Sequence, residues 1–151
     1  MKKLFGILAL GILACNISFA DNLKIIDGDT IILNGEKIRF SGIDTPELKQ
    51  TCLKGDQKVN CGMTAKQLLI KKIGKATLKC ISEGKDFYKR TLAECFANGE
   101  SLSRFLVQSG YAFAYRKYSK KFIKDEELAK KNKLGMWAMQ FEYPWDFRKT
   151  S

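Results

Sequence analysis

The chain has no histidine among its 151 residues, and that absence removes every mechanism in which imidazole acts as base, acid or metal ligand. None of its cysteines forms a CxxC pair, so a zinc knuckle is excluded too. The one long apolar run, Leu4 to Ala14, is too short to span a membrane. Repeats, linkers and low-complexity segments are also missing, and acidic residues are scarce, 16 against 27 Lys and Arg. What remains is a short basic chain whose chemistry must rest on carboxylates, arginines, lysines and aromatic rings.

Residues 1–20 read as a secretory signal peptide: Lys2 and Lys3, the apolar run, then Ser18, Phe19 and Ala20 before cleavage ahead of Asp21. A competing reading takes "ILAC" as a lipoprotein site with the lipid on Cys15, although Leu13 is large where a small residue is usual. Either cleavage leaves residues of one domain, 21–151, with Cys52, Cys61, Cys80 and Cys95. An even count in an exported domain suggests two disulfides. Of the three connectivities, the simplest joins Cys52 with Cys61 and Cys80 with Cys95. The expected location is periplasmic or secreted. Without Lys2 and Lys3 the 27 basic residues become 25 against 16 acidic, about +9, a charge suited to a polyanion. Nucleic acid is one such partner; anionic membrane or cell wall is another.

Asp27–Gly28 and Asn34–Gly35 both suit tight turns with positive φ, and they predict a meander of strands near 22–26, 29–33 and 36–43. Residues 44–61 read as a long polar loop. Ala65, Leu69 and Ile73 recur every four residues, which predicts a helix over 62–73 ending at Gly74. Two further strands follow in "ATLKCI" and "RTLAECFA". Ser101 is placed to cap a second helix bearing Leu102, Phe105 and Leu106, and a third, highly charged helix is expected over 119–133. Three strands, a helix, two strands and more helices is an α+β order. It suits a closed five-stranded Greek-key barrel of the OB type and equally an open sheet packed by helices.

Within "IIDGDTIILNGEKIRFSGIDTPE" the charges fall at strand ends. The turn at Asn34 pairs Thr30 with Arg39, and Gly42 lets the chain bend so that Asp29, Arg39, Asp44 and Glu47 converge. Pro46 restricts Thr45 to extended geometry. Gathered carboxylates repel without a cation, and calcium, a hard ion abundant outside cells, suits oxygen ligands. Asp29 and Asp44 are the expected ligands, with the Thr45 backbone carbonyl and water completing the shell. In a chain without histidine, Glu47 is the candidate base for activating water, and Arg39 suits a phosphate with its planar fork of donors. Asp27 is explained by its turn.

"IDGDT", "IRFSGIDTPE", "RTLA" and "LGMW" resemble the staphylococcal nuclease (thermonuclease) family in order and spacing, across about residues 22–145. The cysteine-bearing loop and "PWDFR" resemble its exported, disulfide-containing bacterial branch. The resemblance implies a five-stranded OB barrel with three α-helices and calcium-dependent hydrolysis of DNA and RNA that leaves 3′ phosphates. It implies Arg39, Glu47 and Arg90 as catalytic residues, Asp29 and Asp44 as metal ligands, and Tyr88, Tyr115 and Tyr118 as substrate contacts, the last two by stacking on bases. "DFYKR" departs from the pattern: Phe87 stands in place of a basic residue and Lys89 in place of a glycine. Trp137 and Trp145 are read as packing, and the third helix's lysines as a solvated face. The expected substrates are single-stranded or denatured DNA and RNA, acted on by a monomer with no obligate protein partner and no transmembrane segment once processed. The alternatives are a noncatalytic OB module that binds nucleic acid and a basic envelope-binding protein.

Overall fold

The structure, a computed structural model, describes residues 22–151; the expected signal peptide and Cys15 lie outside them. In chain order the strands are β1 (Leu23–Ile25), β2 (Thr30–Leu33), β3 (Glu36–Phe40), β4 (Ile43–Asp44), β5 (Cys52–Lys54), β6 (Gln57–Val59), β7 (Leu78–Lys85), β8 (Thr91–Ala97), β9 (Glu100–Ser101) and β10 (Phe113–Ala114). The helices are α1 (Cys61–Ile73), α2 (Leu102–Gln108), α3 (Ile123–Lys131) and α4 (Pro144–Thr150). The fold is α+β, with four helices among the described residues where three were expected. Helix α4 has seven residues, too few to show helical periodicity, and its one sequence sign is a proline at the first position.

Asn34 and Gly35 take φ of 51° and 86°, and the turn they make sets Thr30 opposite Arg39 as expected. The other expected tight turn differs. Four residues, 26–29, separate β1 from β2, and Gly28 is not at positive φ. The Asp27 Oδ1 instead accepts the Asp29 N–H at 3.0 Å, a local bond that replaces a tight turn. Gly28 is needed for closeness: a Cβ there would stand 2.9 Å from Thr45 Oγ1.

The main sheet runs β1-β2-β3-β8-β7, with β9 beside β8. Strands β3 and β8 are parallel, with Arg39 opposite Leu92, so the second hairpin is laid beside the meander. Small pairs β4/β10 and β5/β6 stand apart from it. The β5/β6 hairpin lies within the stretch read as polar loop, and Gly55 at φ 60° turns it. Asn60 caps α1 by accepting the Met63 N–H at 2.9 Å, and Ser101 caps α2 through the Arg104 N–H at 3.2 Å. Helix α3 is shorter than expected at both ends: it begins only at Ile123, after Phe122 at its N-cap, and it stops at Lys131 ahead of Lys133 at φ 51°.

Two apolar clusters result. The larger packs Ile31, Ile38, Phe40 and Ile43 of the sheet region against Leu69 and Ile73 of α1 and Leu102 and Leu106 of α2. The smaller surrounds Phe113 with Cys52, Cys61 and Met136, and Tyr143 and Trp145 pack against it. Each cluster contains a disulfide partner. Cys80 faces Cys95 across β7 and β8, and Cys52 joins Cys61, the simplest of the three connectivities. No helix of the described residues is long and apolar enough to cross a membrane.

The bridged residues are 9 and 15 apart in sequence, and closing loops of that size contributes about 2.5–3 kcal/mol each through the unfolded chain. Reduction should therefore lower the urea midpoint without changing the folded secondary structure. Urea titrations with and without reductant check this.

Candidate active site

The bend after Phe40 decides what the sheet can gather. Gly42 at φ 72° turns the chain into β4, and β10 pairs with β4 so that Phe113 lies opposite Asp44. Asp29 comes from the end of the β1–β2 connection, and its Oδ2 accepts the Thr45 N–H at 3.0 Å. "DGDT" and "DTPE" thus meet directly. Arg39 on β3 stands between them: Nη1 pairs with Asp29 Oδ1, while Nη2 donates to Asp44 Oδ1 at 3.1 Å and to the Ile43 carbonyl at 3.3 Å.

The two aspartates are buried, Asp29 at 4% exposure and Asp44 at 1%. Burial opposes ionisation of Asp29, yet the Arg39 charge and bonds from Arg39, Thr45 and Thr30 hold its pKa below the ordinary carboxylate value. At Asp44 burial pushes the pKa up, aided by the Asp29 charge and opposed by Arg148 and Arg39. Asp27 is pushed up to about 6 by burial and by Asp29.

The donors here are all oxygens, the chemistry a calcium ion accepts. Each buried aspartate accepts three hydrogen bonds, from Arg39, Thr30 and Thr45 at Asp29 and from Arg39 and twice from Arg148 at Asp44. A carboxylate has about four lone-pair sites, so each retains one for a cation. The described residues contain no group of three or more His, Cys, Asp or Glu able to hold a metal. A cation here would have two carboxylates, and backbone carbonyl and water would have to complete its shell. The residues fit calcium in that form, sharing Asp44 with arginine.

Glu47 joins the group through a residue assigned no role from the sequence alone. Arg148 on α4 donates to Asp44 Oδ1 at 3.1 Å, Asp44 Oδ2 at 2.7 Å and Glu47 Oε1 at 2.7 Å. Gln50, fully buried, was also missed. Its side chain accepts the Glu47 N–H at 3.1 Å and donates to the Glu142 carbonyl at 2.6 Å, so it ties the Glu47 turn to the segment leading into α4. Helix α1 backs the same turn, since a Cβ on Gly62 would lie 1.8 Å from the Glu47 carbonyl oxygen. Sequence separations of 101 and 104 residues leave no local signal for Arg148; only "PWDFR" as a motif marks it.

The remaining candidates stand outside this contact network. Arg90 precedes β8, and continuing the register by one step sets it level with Lys37, two residues from Arg39 along the sheet, or roughly 7 Å. Its Nε donates to Asp86 at 2.7 Å and its guanidinium lies 5.5 Å from the center of the Tyr88 ring. Lys89 does adopt positive φ, 61°. Tyr115 and Tyr118 meet edge to face at 4.9 Å, and Tyr115 lies parallel to Trp145 at 5.9 Å. Tyr115 and Trp145 line a cleft of about 390 Å³ next to β10 with Arg116, Lys117 and Tyr143, and Tyr118 is tied to it through its contact with Tyr115. Trp137 packs edge-on against Phe113, as expected. Trp145 packs too, stacking on Tyr143 at 4.6 Å, but it also forms a wall of the cleft.

Fold and site together define the class: a small basic α+β protein with carboxylates and arginines gathered at one end of its sheet. The model of the family described as staphylococcal nuclease homologue matches residues 37–139, and the chain belongs to that family. It is similar to a micrococcal nuclease of Shigella flexneri, 29% identical over 147 residues that cover 85% of this chain and 79% of the relative. It also resembles an uncharacterized endonuclease of Haemophilus influenzae, 30% identical over 77% of this chain and 64% of the relative. The succinoglycan biosynthesis protein ExoI of Rhizobium meliloti is 32% identical over 80% of this chain and 65% of its own length. The chain spans a little under two thirds of the last two.

Two substitutions test how the site is held. Gly62→Ala forces a methyl group into the Glu47 backbone and should cost about 1–3 kcal/mol, read from urea unfolding. Lys89→Gly relieves a left-handed lysine and should stabilise by about 0.5–1 kcal/mol after the entropy of glycine is counted; a loss of stability would show that the turn at Asp86–Arg90 carries no strain.

Proposed function

We propose that the protein is an exported, calcium-dependent nuclease that hydrolyses phosphodiester bonds of DNA and RNA and leaves 3′ phosphates. The observation that carries this reading is the convergence of Asp29, Arg39, Asp44 and Glu47 at one end of the meander, in a chain of net charge +11. Its two disulfides accord with an oxidising compartment. The strand order β1-β2-β3-β8-β7 with its parallel β3/β8 pair supports the five-stranded OB-type barrel as the architecture behind it.

Asp29, Asp44 and the Thr45 carbonyl would hold the calcium. When bound, the ion polarises a phosphate oxygen and offsets charge on the phosphoryl group. Glu47 takes the proton of the attacking water as its oxygen adds to phosphorus; the bond to the 5′ oxygen breaks with its electron pair, and that oxygen takes up a proton from solvent water. Arg39 spends three of five N–H donors on Asp29, Asp44 and the Ile43 carbonyl, which leaves two for a phosphate oxygen. Arg90 uses Nε on Asp86 and keeps its Nη groups for the same phosphate. Tyr88 and the strongly exposed Tyr118, at 74% and 70%, contact the strand, and the Tyr115 cleft receives a base. Bases without pairing partners reach such rings most easily, which favours single-stranded or denatured substrate.

The second reading, a binding module without catalysis, draws on the Asp86 bond that engages Arg90. Cleavage separates the two. Purified protein should degrade denatured DNA and RNA with calcium and stop with chelator, and Glu47→Gln should reduce kcat about 10²–10⁴-fold. Full activity in that variant would remove Glu47 as base; salt-sensitive binding with no cleavage at any calcium level would favour the module.

A further inference from the structure

We infer that Arg148 is a positioning residue of this site, orienting the Glu47 carboxylate from the C-terminal helix. The inference rests on the nuclease reading and adds to it a residue 101 positions from the group it serves. Glu47 has a well-fixed backbone. Its N–H goes to the Gln50 side chain, its carbonyl accepts the Gln50 N–H at 2.7 Å, and α1 presses on it through Gly62. Its side chain is another matter: 39% exposed, it has Arg148 as its sole hydrogen-bond partner among the described residues. A glutamate with three rotatable bonds spreads over many rotamers unless something selects one. The Arg148 bond to Oε1 selects one and leaves Oε2 for a water.

Arg148 can do this because it is itself held. Two parallel bonds to Asp44 fix the plane of its fork, and Nη1 serves Asp44 and Glu47 together, a geometry that one ammonium group cannot reproduce. The helix behind it is anchored as well. Pro144 is buried, and Tyr143 and Trp145 pack on Phe113 at 5.1 and 6.0 Å. Phe113 is the residue opposite Asp44 in the β4/β10 pair. One strand pair therefore places both the carboxylate and the helix that brings its arginine.

The test compares Arg148→Ala, Arg148→Lys and the surface control Lys149→Ala in calcium. Wild type and Lys149→Ala should cleave alike. Both Arg148 variants should lose kcat about 10- to 100-fold with little change in KM, because Glu47 is disordered while substrate contacts remain. The lysine variant keeps a positive charge beside buried Asp44 and so keeps the fold, which urea unfolding verifies. Guanidinium ion should restore a large part of the alanine variant's kcat, and ammonium at equal concentration should not. In a Glu47→Gln background, Arg148→Ala should cause no further loss. Unchanged kcat in a folded Arg148 variant, absence of guanidinium rescue, or additive losses in the double variant would overturn the inference while leaving the nuclease reading intact. A wild-type protein without cleavage would overturn both.

Discussion

The Asp44 carboxylate, almost wholly buried, lies between the guanidinium groups of Arg39 and Arg148. Taking a carboxylate out of water costs several kcal/mol unless pairing and hydrogen bonds offset it. Here the offset comes from two directions. Arg39 arrives from the neighbouring strand of the meander, and Arg148 arrives from the far end of the chain. Most other features can be understood as means of bringing those two cations to one anion: the Asn34–Gly35 hairpin, the bend at Gly42, the β4/β10 pair and the aromatic cluster around Phe113.

The arrangement also separates two kinds of order. Asp29, Arg39 and Asp44 sit on strands or at strand ends, packed against the larger apolar cluster. Glu47 sits on a turn that the smaller cluster supports, through the Cys52–Cys61 bridge, Gln50 and α1. The role proposed for Glu47 requires contact with water, and a carboxylate held only by the main sheet would be buried with its neighbours. The second cluster supplies a support that leaves the Glu47 side chain partly open.

Much of the sheet side was legible in the sequence because its determinants are local. Two-residue turn geometry at Asn34–Gly35 fixes the register of Thr30 and Arg39, and the four-residue recurrence of Ala65, Leu69 and Ile73 fixes the buried face of α1, all three being buried. Gly28 shows the limit of this reasoning: its place in a turn was evident, but its closeness to Thr45 depends on a segment 17 residues onward, and so the tight turn was assigned wrongly. Lys89 stands where the family has a glycine, and it takes the left-handed φ that glycine adopts freely. Arg148 and Gln50 act across tertiary contacts between the acidic turn and the last helix, which neither periodicity nor spacing encodes. Trp145 was read as packing, which it does; its second role as a cleft wall depends on a neighbour 30 residues earlier, Tyr115.

Chain direction gives the Asp44–Arg148 pair a meaning in time. Translation proceeds from the N-terminus, so the acidic turn exists for the synthesis of about a hundred further residues before its last cation does. During that interval Arg39 alone can neutralise Asp44, and Glu47 has no partner to fix it. The Phe113 cluster cannot close either, since Tyr143 and Trp145 come as late as the arginine. The carboxylate and arginine cluster is thus completed last, after the sheet that carries it has its full set of strands.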